Sequence, residues 1–457
     1  MRSLRDQSIK SMFRFAAGQI LITFLEVCHM NRIDICKNII QSIKEYITNP
    51  DKLEAHKAPN HFTRFRKLSI PNIIHYLFFS SKASMFQNLA SIREFLPEIN
   101  FPKVSKQALS KARQFISPSL FKELFYQSVD GFYHNIANRK LWHGYHIFAV
   151  DGSKFELPNS KSNFDFFGEM FGYPDPTRRF TMGLASIVYD VLEDYIVHAS
   201  FHRYLASERA AALEHLKQLD ALDIYQNSIV IFDRGYYSES MFRYCVSNNH
   251  ICLMRLKDKM NLCKKCNGDS LQVLPGDLKL GTDDITIRVI EVTLDDGSKE
   301  YLATNLFDNS ISADMFRELY FLRWPVELKY KELKSRLQVE EFNGATTTSV
   351  FQEFYITLLL SNLSSLIKNQ ADESIDKNIN SKPQNKYRYQ ANRTFIIGRL
   401  KKTLPKLLFC QASFSIIDQL LSESICCRSQ IIPGRKFKRK RTKDVGRTHF
   451  KNQKTTV

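Results

Sequence analysis

The sequence lacks the cysteine pattern of a disulfide-stapled secreted protein. Its 457 residues contain nine cysteines, an odd number, scattered without the spacing of a disulfide framework. One pair, Cys263 and Cys266, has the CxxC spacing of a zinc site, but no second ligand pair at suitable spacing accompanies it. We therefore expect free thiols in a reducing compartment, and no structural zinc.

The sequence also lacks a clear membrane-spanning or export segment. The apolar stretch Phe13–Met30 is interrupted by Arg14, Gln19 and Glu26, so it is too charged to cross a bilayer. No small-residue cleavage site follows it cleanly. We interpret the stretch as an amphipathic helix and expect the protein to act in the compartment where it is made.

What the sequence has in excess is positive charge. Lys and Arg number 65 against 47 Asp and Glu, which gives a formal net charge of +18. Such an excess favours a polyanionic partner, nucleic acid before a membrane surface, but a merely basic soluble protein has the same composition. The length predicts two or three domains rather than one.

The first 140 residues predict a helical domain. Met85–Leu96 has helical spacing, and Ser105–Phe115 begins another helix with Ser105 as its cap. Several cations accompany these helices: Lys103, Lys106, Lys111 and Arg113. Residues 1–140 are therefore predicted to bind DNA ends through short helices, although a plain helical bundle with a basic face has the same pattern.

From residue 145 onward, short apolar runs indicate buried strands, and two of these runs end at an aspartate. His146–Val150 precedes Asp151, and Ser228–Phe232 precedes Asp233. The order of three strands, a helix, a strand, a helix and a strand predicts a mixed α/β sheet over residues 145–345. The turn-rich segment at about 257–305 is predicted to be a β-rich insertion inside this domain.

The remainder is predicted to be helical and then unstructured. Residues 346–430 form a predicted helical C-terminal region, with a polar loop at Asp372–Lys386. The basic tail, 431–457, is expected to be disordered when free. It serves either as a phosphate-binding arm or as a solvating tail.

The segment from Tyr320 to Lys334 combines an aromatic hydroxyl, two cations and one carboxylate on a narrow helical face. Tyr320, Arg323, Glu327 and Lys334 fall within about 60° of one another on a helix. A core-facing stripe would be apolar, so this face is either solvated or part of a site. Pro325 predicts that one helix ends near Arg323 and that a second begins there, with Glu327 in its first turn.

Three carboxylates are thereby expected at the ends of structural elements, namely Asp151, Asp233 and Glu327. Strand ends of one sheet lie close together, and gathered carboxylates repel one another unless a cation bridges them. Two Mg²⁺ ions about 4 Å apart need hard oxygen ligands of this kind. Such a pair can activate water or a 3′-hydroxyl for attack on a phosphodiester.

The sequence resembles the DDE transposases of the bacterial insertion sequence 4 group. The resemblance covers about residues 60–410 and depends on four motifs. They are AVDGSKFELP at Ala149–Pro158, VIFDRGYYS at Val230–Ser238, YLATNLF at Tyr301–Phe307, and the spacing Tyr320-x2-Arg323-x3-Glu327-x6-Lys334. The resemblance implies a ribonuclease-H-like mixed sheet interrupted by a β insertion, with helical regions on both sides in the chain.

The same resemblance implies roles for individual residues. Asp151, Asp233 and Glu327 would be the catalytic ligands of Mg²⁺, for which Mn²⁺ would substitute. Tyr320, Arg323 and Lys334 would contact phosphates at the transposon end, since Arg offers a bidentate fork and Lys a point charge. Three further candidates for DNA contact lie elsewhere: Arg234, Arg255 and Lys257. Arg234 serves equally well as a structural ion pair.

The implied reaction is hydrolysis at the element end and then joining of the 3′-hydroxyl end to target DNA. The implied partners are double-stranded terminal inverted repeats, target DNA and a second copy of the chain in the synaptic complex. No membrane partner is expected, and the location is the cytoplasm, on the nucleoid when the protein is bound to DNA.

The sequence departs from related enzymes that cut through a hairpin, which stack a flipped base on a tryptophan in the β insertion. Trp142 and Trp324 both lie outside the insertion, and Tyr301 could take that place.

Two other functions stay open: a catalytically inactive repressor that occupies element ends, and a nuclease of the same fold without strand transfer. The intact carboxylates argue against the repressor.

Overall fold

The computed structural model describes residues 30–432, except residues 65, 173, 174, 178, 223, 225, 277–280 and 384. Apart from Met30, the amphipathic helix expected at Phe13–Met30 lies outside the described residues, as does the tail beyond residue 432. The boundaries predicted for the domains stay predictions.

The described residues before the first strand are helical. They form α1 (Arg32–Thr48), α2 (Pro50–Glu54), α3 (Ile70–Phe79), α4 (Met85–Phe95), α5 (Lys106–Arg113) and α6 (Ser119–Asn135). Side-chain caps explain several starts: the Ser105 hydroxyl accepts a hydrogen bond from the backbone N–H of Ala108, as predicted, and Ser84 forms a capping box with Gln87.

One nine-stranded sheet follows in the chain. Its strands are β1 (His146–Leu157), β2 (Met170–Phe171), β3 (Arg179–Asp190), β4 (Tyr195–Arg203), β5 (Ser228–Phe232), β6 (Ile251–Arg255), β7 (Asp269–Leu274), β8 (Ile285–Thr293) and β9 (Lys299–Thr304). The helices between them are α7 (Lys161–Phe167), α8 (Glu208–Ala221), α9 (Glu239–Ser247) and α10 (Asn261–Lys264).

The sheet mixes strand directions, which confirms the predicted mixed α/β class. β1 pairs antiparallel with β3 on one side and parallel with β5 on the other, and β5 pairs parallel with β6. The predicted insertion is β-rich, and it extends the same sheet because β9 pairs antiparallel with β6 and then carries β8 and β7.

One strand boundary in the sequence prediction is wrong. The apolar run ends at Val150, but β1 continues through Asp151 to Leu157. The parallel pairing with β5 stops at Val150 opposite Phe232, whereas the antiparallel pairing with β3 continues from Asp151 to Leu157. Asp151 therefore lies inside a strand, at the point where that strand separates from β5.

The chain after the sheet is mainly helical. It forms α11 (Ala313–Phe321), α12 (Trp324–Ser335), α13 (Thr347–Ile375), β10 (Arg388–Ala391), α14 (Arg393–Phe409), α15 (Ser415–Cys426) and β11 (Arg428–Ile431). The loop expected at Asp372–Lys386 is wrong at its start, because α13 runs to Ile375 and continues as a π-helical turn at Asp376–Asn380. Asp372 helps to hold this end, since its carboxylate accepts the backbone N–H of Ala391.

Helix α13 is the central helix of the core. It packs against α1, α6, α14, α15 and β4, so the N-terminal helices and the sheet share one hydrophobic cluster. The helical segment at residues 347–380 is long and apolar enough to cross a membrane, but most of its apolar window is buried inside the protein. That burial is what a core helix requires.

One cation in the predicted DNA-contacting helices is buried instead of exposed. The guanidinium of Arg113 donates to Gln352 and forms an ion pair with Glu353, both on α13. A buried charge needs such partners, so Arg113 attaches α5 to the core helix. Lys103, Lys106 and Lys111 are exposed, as a basic face requires.

Candidate active site

The helix that carries Glu327 begins where the sequence predicts. α11 ends at Phe321 and α12 starts at Trp324, with Pro325 in its first turn. Proline suits that position because it lacks the N–H that would go unpaired there. Glu327 lies in the same first turn, where the helix dipole favours a carboxylate.

Two hydrogen bonds link the polar stripe to the predicted acidic residues. The Tyr320 hydroxyl donates to Oδ1 of Asp233 over 3.1 Å, across 87 residues of sequence. The guanidinium of Arg323 donates to Oε1 of Glu327 over 2.8 Å. Arg323 is only 6% exposed, so its charge lies within the protein, beside these carboxylates. Tyr320, Arg323, Glu327 and Asp233 are therefore brought together.

Asp151 belongs to the same electrostatic group. Burial raises its carboxyl pKa to about 7, while the backbone N–H of Gly152 and the charge of Arg323 pull it down. The negative charges of Asp233 and Glu327 raise it further. We name Asp151, Asp233, Glu327 and Arg323 the acidic cluster: three carboxylates share one nearby guanidinium.

Two contacts that the sequence did not reveal attach α12 to β1 and to its neighbour β3. The hydroxyl of Tyr330 lies 2.8 Å from the backbone oxygen of Asp151 and 3.0 Å from that of Ala185. It therefore holds the helix that carries Glu327 against the strand that carries Asp151. Tyr330 lies within the segment from Tyr320 to Lys334, but only the fold shows which backbone oxygens it contacts.

Lys334 lies apart from the acidic cluster. Its Nζ donates to the backbone oxygen of Lys154 over 2.6 Å and lies 3.5 Å from Oε1 of Glu340. The helical face predicted from spacing is thus divided, since Tyr320 and Arg323 contact the cluster and Lys334 contacts the far part of β1.

The other predicted DNA contacts have different surroundings. Arg234 is exposed and has no ion-pair partner among the residues that the structure describes. Arg255 pairs with Glu300 at 2.8 Å, and Lys257 is exposed at the start of the insertion. Tyr301 donates its hydroxyl to Glu291 over 3.1 Å and is partly buried.

The donor chemistry of the acidic cluster suits a hard divalent cation, because all three acidic groups are carboxylates. Their arrangement is less complete: within the described part of the chain, no group of three or more His, Cys, Asp or Glu side chains is placed to hold a metal ion. Tyr320 and Arg323 instead occupy one oxygen each of Asp233 and Glu327.

A second, buried charge cluster lies further along α12, and it could not be seen in the sequence. It consists of Asp194, Lys329, Glu332 and Arg393, which we name the balanced cluster. Lys329 and Glu332 are three residues apart on α12, but Asp194 and Arg393 come from distant segments. The cluster therefore connects α12 to the β3–β4 turn and to α14.

Comparison with known proteins gives three findings. Residues 142–363 match the family model described as the transposase DDE domain. The chain is 24% identical over 363 residues to the transposase InsG for insertion sequence element IS4 of Escherichia coli, covering 73% of this chain and 78% of that protein. It is 26% identical over 140 residues to a putative transposase for insertion sequence element IS4SA of Synechocystis, covering 29% of this chain and 39% of that protein.

A solved structure is also similar in outline. It is a synaptic complex of the piggyBac transposase with hairpin DNA, 8% identical, with a TM-score of 0.45 over 89% of this chain and 87% of that chain.

Proposed function

We propose that this protein moves an insertion sequence, because residues 142–363 match the family model described as the transposase DDE domain, in line with the resemblance seen in the sequence. It binds the terminal inverted repeats, cleaves the DNA at the element ends and joins the 3′-hydroxyl ends to target DNA. The relatives named as transposases of insertion sequence elements support this proposal.

The observation that carries the proposal is the convergence of three acidic residues from distant segments. The charges of Asp233 and Glu327 both act on Asp151, although Asp233 directly follows β5, Glu327 lies in α12 and Asp151 lies in β1. A protein that only binds DNA gains nothing from an excess of negative charge beside a polyanion. A metal-dependent phosphoryl transfer needs such an excess.

In this proposal, Asp151, Asp233 and Glu327 hold Mg²⁺, with Mn²⁺ as a substitute. A divalent cation bound there would supply activation of a water or 3′-hydroxyl and charge stabilisation at the leaving oxygen. The side chains must reorient first, since Tyr320 and Arg323 hold one oxygen of Asp233 and of Glu327. Arg323 is well suited to leave Glu327 for a DNA phosphate, because its guanidinium also binds phosphate through two parallel hydrogen bonds.

The sheet fits the ribonuclease-H-like assignment in the placement of the acids. Asp151 lies in the first strand, Asp233 follows a strand parallel to it, and the β-rich segment intervenes before Glu327. Arg234 and Lys257 are exposed cations close in sequence to these elements and would contact the DNA. Arg255 would have to exchange Glu300 for a phosphate. We propose a DNA-bound homodimer, because an element has two ends.

The test is cleavage of DNA that carries the repeats flanking the gene, with Mg²⁺ and with the full-length chain. Asp233→Asn is expected to reduce cleavage to background while affinity for the repeat stays unchanged, because a neutral amide is a much poorer cation ligand. Asp51→Asn, at an exposed aspartate of α2, is the matched control and should cleave normally.

Equal cleavage by Asp233→Asn and the wild type would remove the catalytic assignment. The wild-type protein also separates the competing functions. Binding of the repeats without cleavage would favour the repressor, and cleavage without joined products on a supercoiled target would favour the nuclease.

A further inference from the structure

A fourth carboxylate, that of Glu208, lies next to the acidic cluster. A Cβ atom on Gly152, the residue after Asp151, would lie 3.5 Å from both Cγ and Cδ of Glu208. Because glycine has no Cβ, the carboxyl group of Glu208 can approach the backbone of β1 closely at this position. Glu208 lies outside the four motifs of the sequence, so only the fold brings it close to Asp151.

The first turn of α8 lies between the two segments that carry the aspartates. Glu208 is the first residue of that helix, where the helix dipole favours a carboxylate. Arg209, the next residue, donates from Nε to the backbone oxygen of Gly235 over 3.1 Å, in the turn that follows Asp233. The side chain of Glu208 lies at Gly152 on the other side. The position of Glu208 is therefore defined relative to both segments.

The Glu208 carboxylate is available to a ligand. The residue is exposed, and its carboxylate has no hydrogen-bond or ion-pair partner among the residues that the structure describes. A solvated glutamate at the start of a helix is common on protein surfaces. Exposure alone therefore does not distinguish a ligand from an ordinary surface residue.

The hydroxyl of Tyr236 makes that distinction. Tyr236 is 1% exposed, and its hydroxyl is buried without a hydrogen-bond partner in the part of the chain that the structure describes. Its backbone N–H donates to the backbone oxygen of Asp233 over 3.0 Å, which fixes the residue beside the acidic cluster. Burial raises the pKa of the hydroxyl well above its ordinary value, and the charges of Asp151, Glu208 and Asp233 raise it further, in that order. A buried hydroxyl without a partner is costly, so we expect it to gain one when the carboxylates bind a cation.

Asp151 and Glu208 approach the same edge of β1 from opposite faces of the sheet. Neighbouring residues of a strand point to opposite faces, so the side chain of Asp151 and the open position at Gly152 face different ways. Within the described residues, β5 pairs with β1 only as far as Val150, opposite Phe232. This edge of β1 is therefore unpaired from Asp151 onward, and carboxylates from both faces can reach a cation beside it.

The charge of a two-metal site also favours a fourth acid. Two divalent cations carry four positive charges, one more than the three carboxylates of the acidic cluster can balance once Arg323 has moved to a phosphate. Each cation also needs about six oxygen ligands. A fourth carboxylate balances the charge and adds oxygen ligands.

We propose that Glu208 is a fourth carboxylate ligand of the divalent cations at the acidic cluster, and that Tyr236 is a positioning residue whose hydroxyl orients the carboxylates around them. This inference rests on the proposed function, because it needs the cations that Asp151, Asp233 and Glu327 are proposed to hold.

Uptake of Mn²⁺ tests the ligand role without relying on cleavage. Full-length protein is bound to repeat DNA whose ends are already cut, and free Mn²⁺ is measured by electron paramagnetic resonance, after subtraction of the Mn²⁺ that the DNA binds alone. Glu208→Gln keeps the size of the side chain but is a much poorer cation ligand, so Mn²⁺ affinity is expected to fall at least about tenfold. Affinity for the DNA without divalent cations should stay unchanged. Glu208→Asp keeps the carboxylate and should recover part of the loss.

Glu239→Gln is the matched control, because α9 begins in the same way as α8. A serine caps each helix, and Glu208 and Glu239 are the exposed first residues. Glu239 also pairs with Arg243 at 2.8 Å, so its substitution removes more contacts than that of Glu208, yet it should bind Mn²⁺ like the wild type. Equal Mn²⁺ affinity in Glu208→Gln and Glu239→Gln, or loss of DNA binding by Glu208→Gln without divalent cations, would overturn the inference and leave the proposed function intact.

Tyr236→Phe separates positioning from a structural role. Removing an unpartnered buried hydroxyl should not lower the urea midpoint of the metal-free protein, whereas Mn²⁺ affinity should fall about 10–100-fold, as for other groups that orient metal ligands. A lower urea midpoint with unchanged Mn²⁺ affinity would contradict the positioning role. If the wild type did not bind the DNA, or if the complex bound no more Mn²⁺ than the DNA alone, the proposed function would fail and this inference with it.

Discussion

Helix α12 belongs to two charge clusters that differ in their balance. The acidic cluster at its N-terminal end has three carboxylates and one guanidinium, and Glu327 is 40% exposed there. The balanced cluster, further along the helix, has two carboxylates and two cations, and its Lys329 and Arg393 are 3% and 5% exposed.

The two clusters shift carboxyl pKa values in opposite directions. In the balanced cluster, burial opposes ionisation of Asp194, but Lys329 and Arg393 outweigh it and hold the pKa of Asp194 below its ordinary value. In the acidic cluster, burial and neighbouring carboxylates raise the pKa of Asp151 to about 7. The balanced cluster is complete within the protein, whereas the acidic cluster has an excess of negative charge that a bound cation would relieve.

The largest effect is expected from opening the balanced cluster. Arg393→Ala removes ion pairs of 3.0 Å to Asp194 and 2.9 Å to Glu332, and leaves two buried carboxylates with Lys329. Removing one partner of a buried ion pair costs about 3–5 kcal/mol, because the other charge is left buried without compensation. We expect a loss of that order in the free energy of unfolding, measured by urea titration.

Arg388→Ala is the matched control for this prediction. Arg388 also pairs with an aspartate at 3.0 Å, but its side chain is 70% exposed and that of Asp376 is 50% exposed. An exposed pair contributes at most about 1 kcal/mol. If the two variants lost similar stability, the balanced cluster would not be the structural anchor that the geometry indicates.

A smaller and pH-dependent effect is expected from Asp151→Asn in protein kept free of divalent cations with a chelator. Because the folded-state pKa of Asp151 is raised, its contribution to stability is complete below the ordinary pKa and is lost as the pH rises through about 7. The asparagine variant should therefore gain about 1–3 kcal/mol on the wild type between pH 5 and pH 8.

Asp194→Asn should instead destabilise the folded protein, by a similar amount at pH 5 and at pH 8, because both values lie above the ordinary aspartate pKa. Its lowered pKa stabilises the folded protein above the ordinary aspartate pKa, and asparagine removes that contribution. Unfolding free energies measured at both pH values compare the two variants. If the difference in unfolding free energy between Asp151→Asn and the wild type did not change with pH, repulsion between the carboxylates of the acidic cluster would not destabilise the folded protein.

The parts of the site that the sequence predicts are those fixed by local chemistry. A short apolar run ends at Asp233, and Pro325 separates two helices and places Glu327 in a first turn. Proline geometry, caps and apolar runs determine where helices and strands begin and end through neighbouring residues alone. These boundaries can therefore be predicted without knowing the fold. The chain near Asp233 and Glu327 follows these signals.

Other features depend on contacts between distant residues, and spacing carries no information about them. Arg113 is 240 residues from Glu353, and Arg393 is 199 residues from Asp194. The continuation of β1 beyond Val150 depends on pairing with β3, although the polar residues that follow Val150 predict a turn. Such partners become visible only when the sheet and the core helix are assembled.

The smallest effect on stability is expected from Tyr320→Phe, which removes one hydrogen bond to Asp233. A typical hydrogen bond contributes about 0.5–1.5 kcal/mol, and we expect this bond to a carboxylate to stay within that range because Asp233 is partly exposed to solvent. Tyr301→Phe is the matched control, because it removes a tyrosine hydrogen bond of 3.1 Å to Glu291, within the β-rich insertion. Both variants should therefore unfold at nearly the wild-type urea concentration.

The two tyrosine variants should differ in the Mg²⁺ concentration that gives half-maximal cleavage. In the proposed function, the Tyr320 hydroxyl would compete with a cation for Asp233, so Tyr320→Phe would free that oxygen and is expected to lower the Mg²⁺ requirement severalfold. Tyr301→Phe leaves the acidic cluster untouched and should not change it. A Tyr320→Phe protein that needs the same Mg²⁺ concentration as the control would show that the hydroxyl does not govern the availability of Asp233.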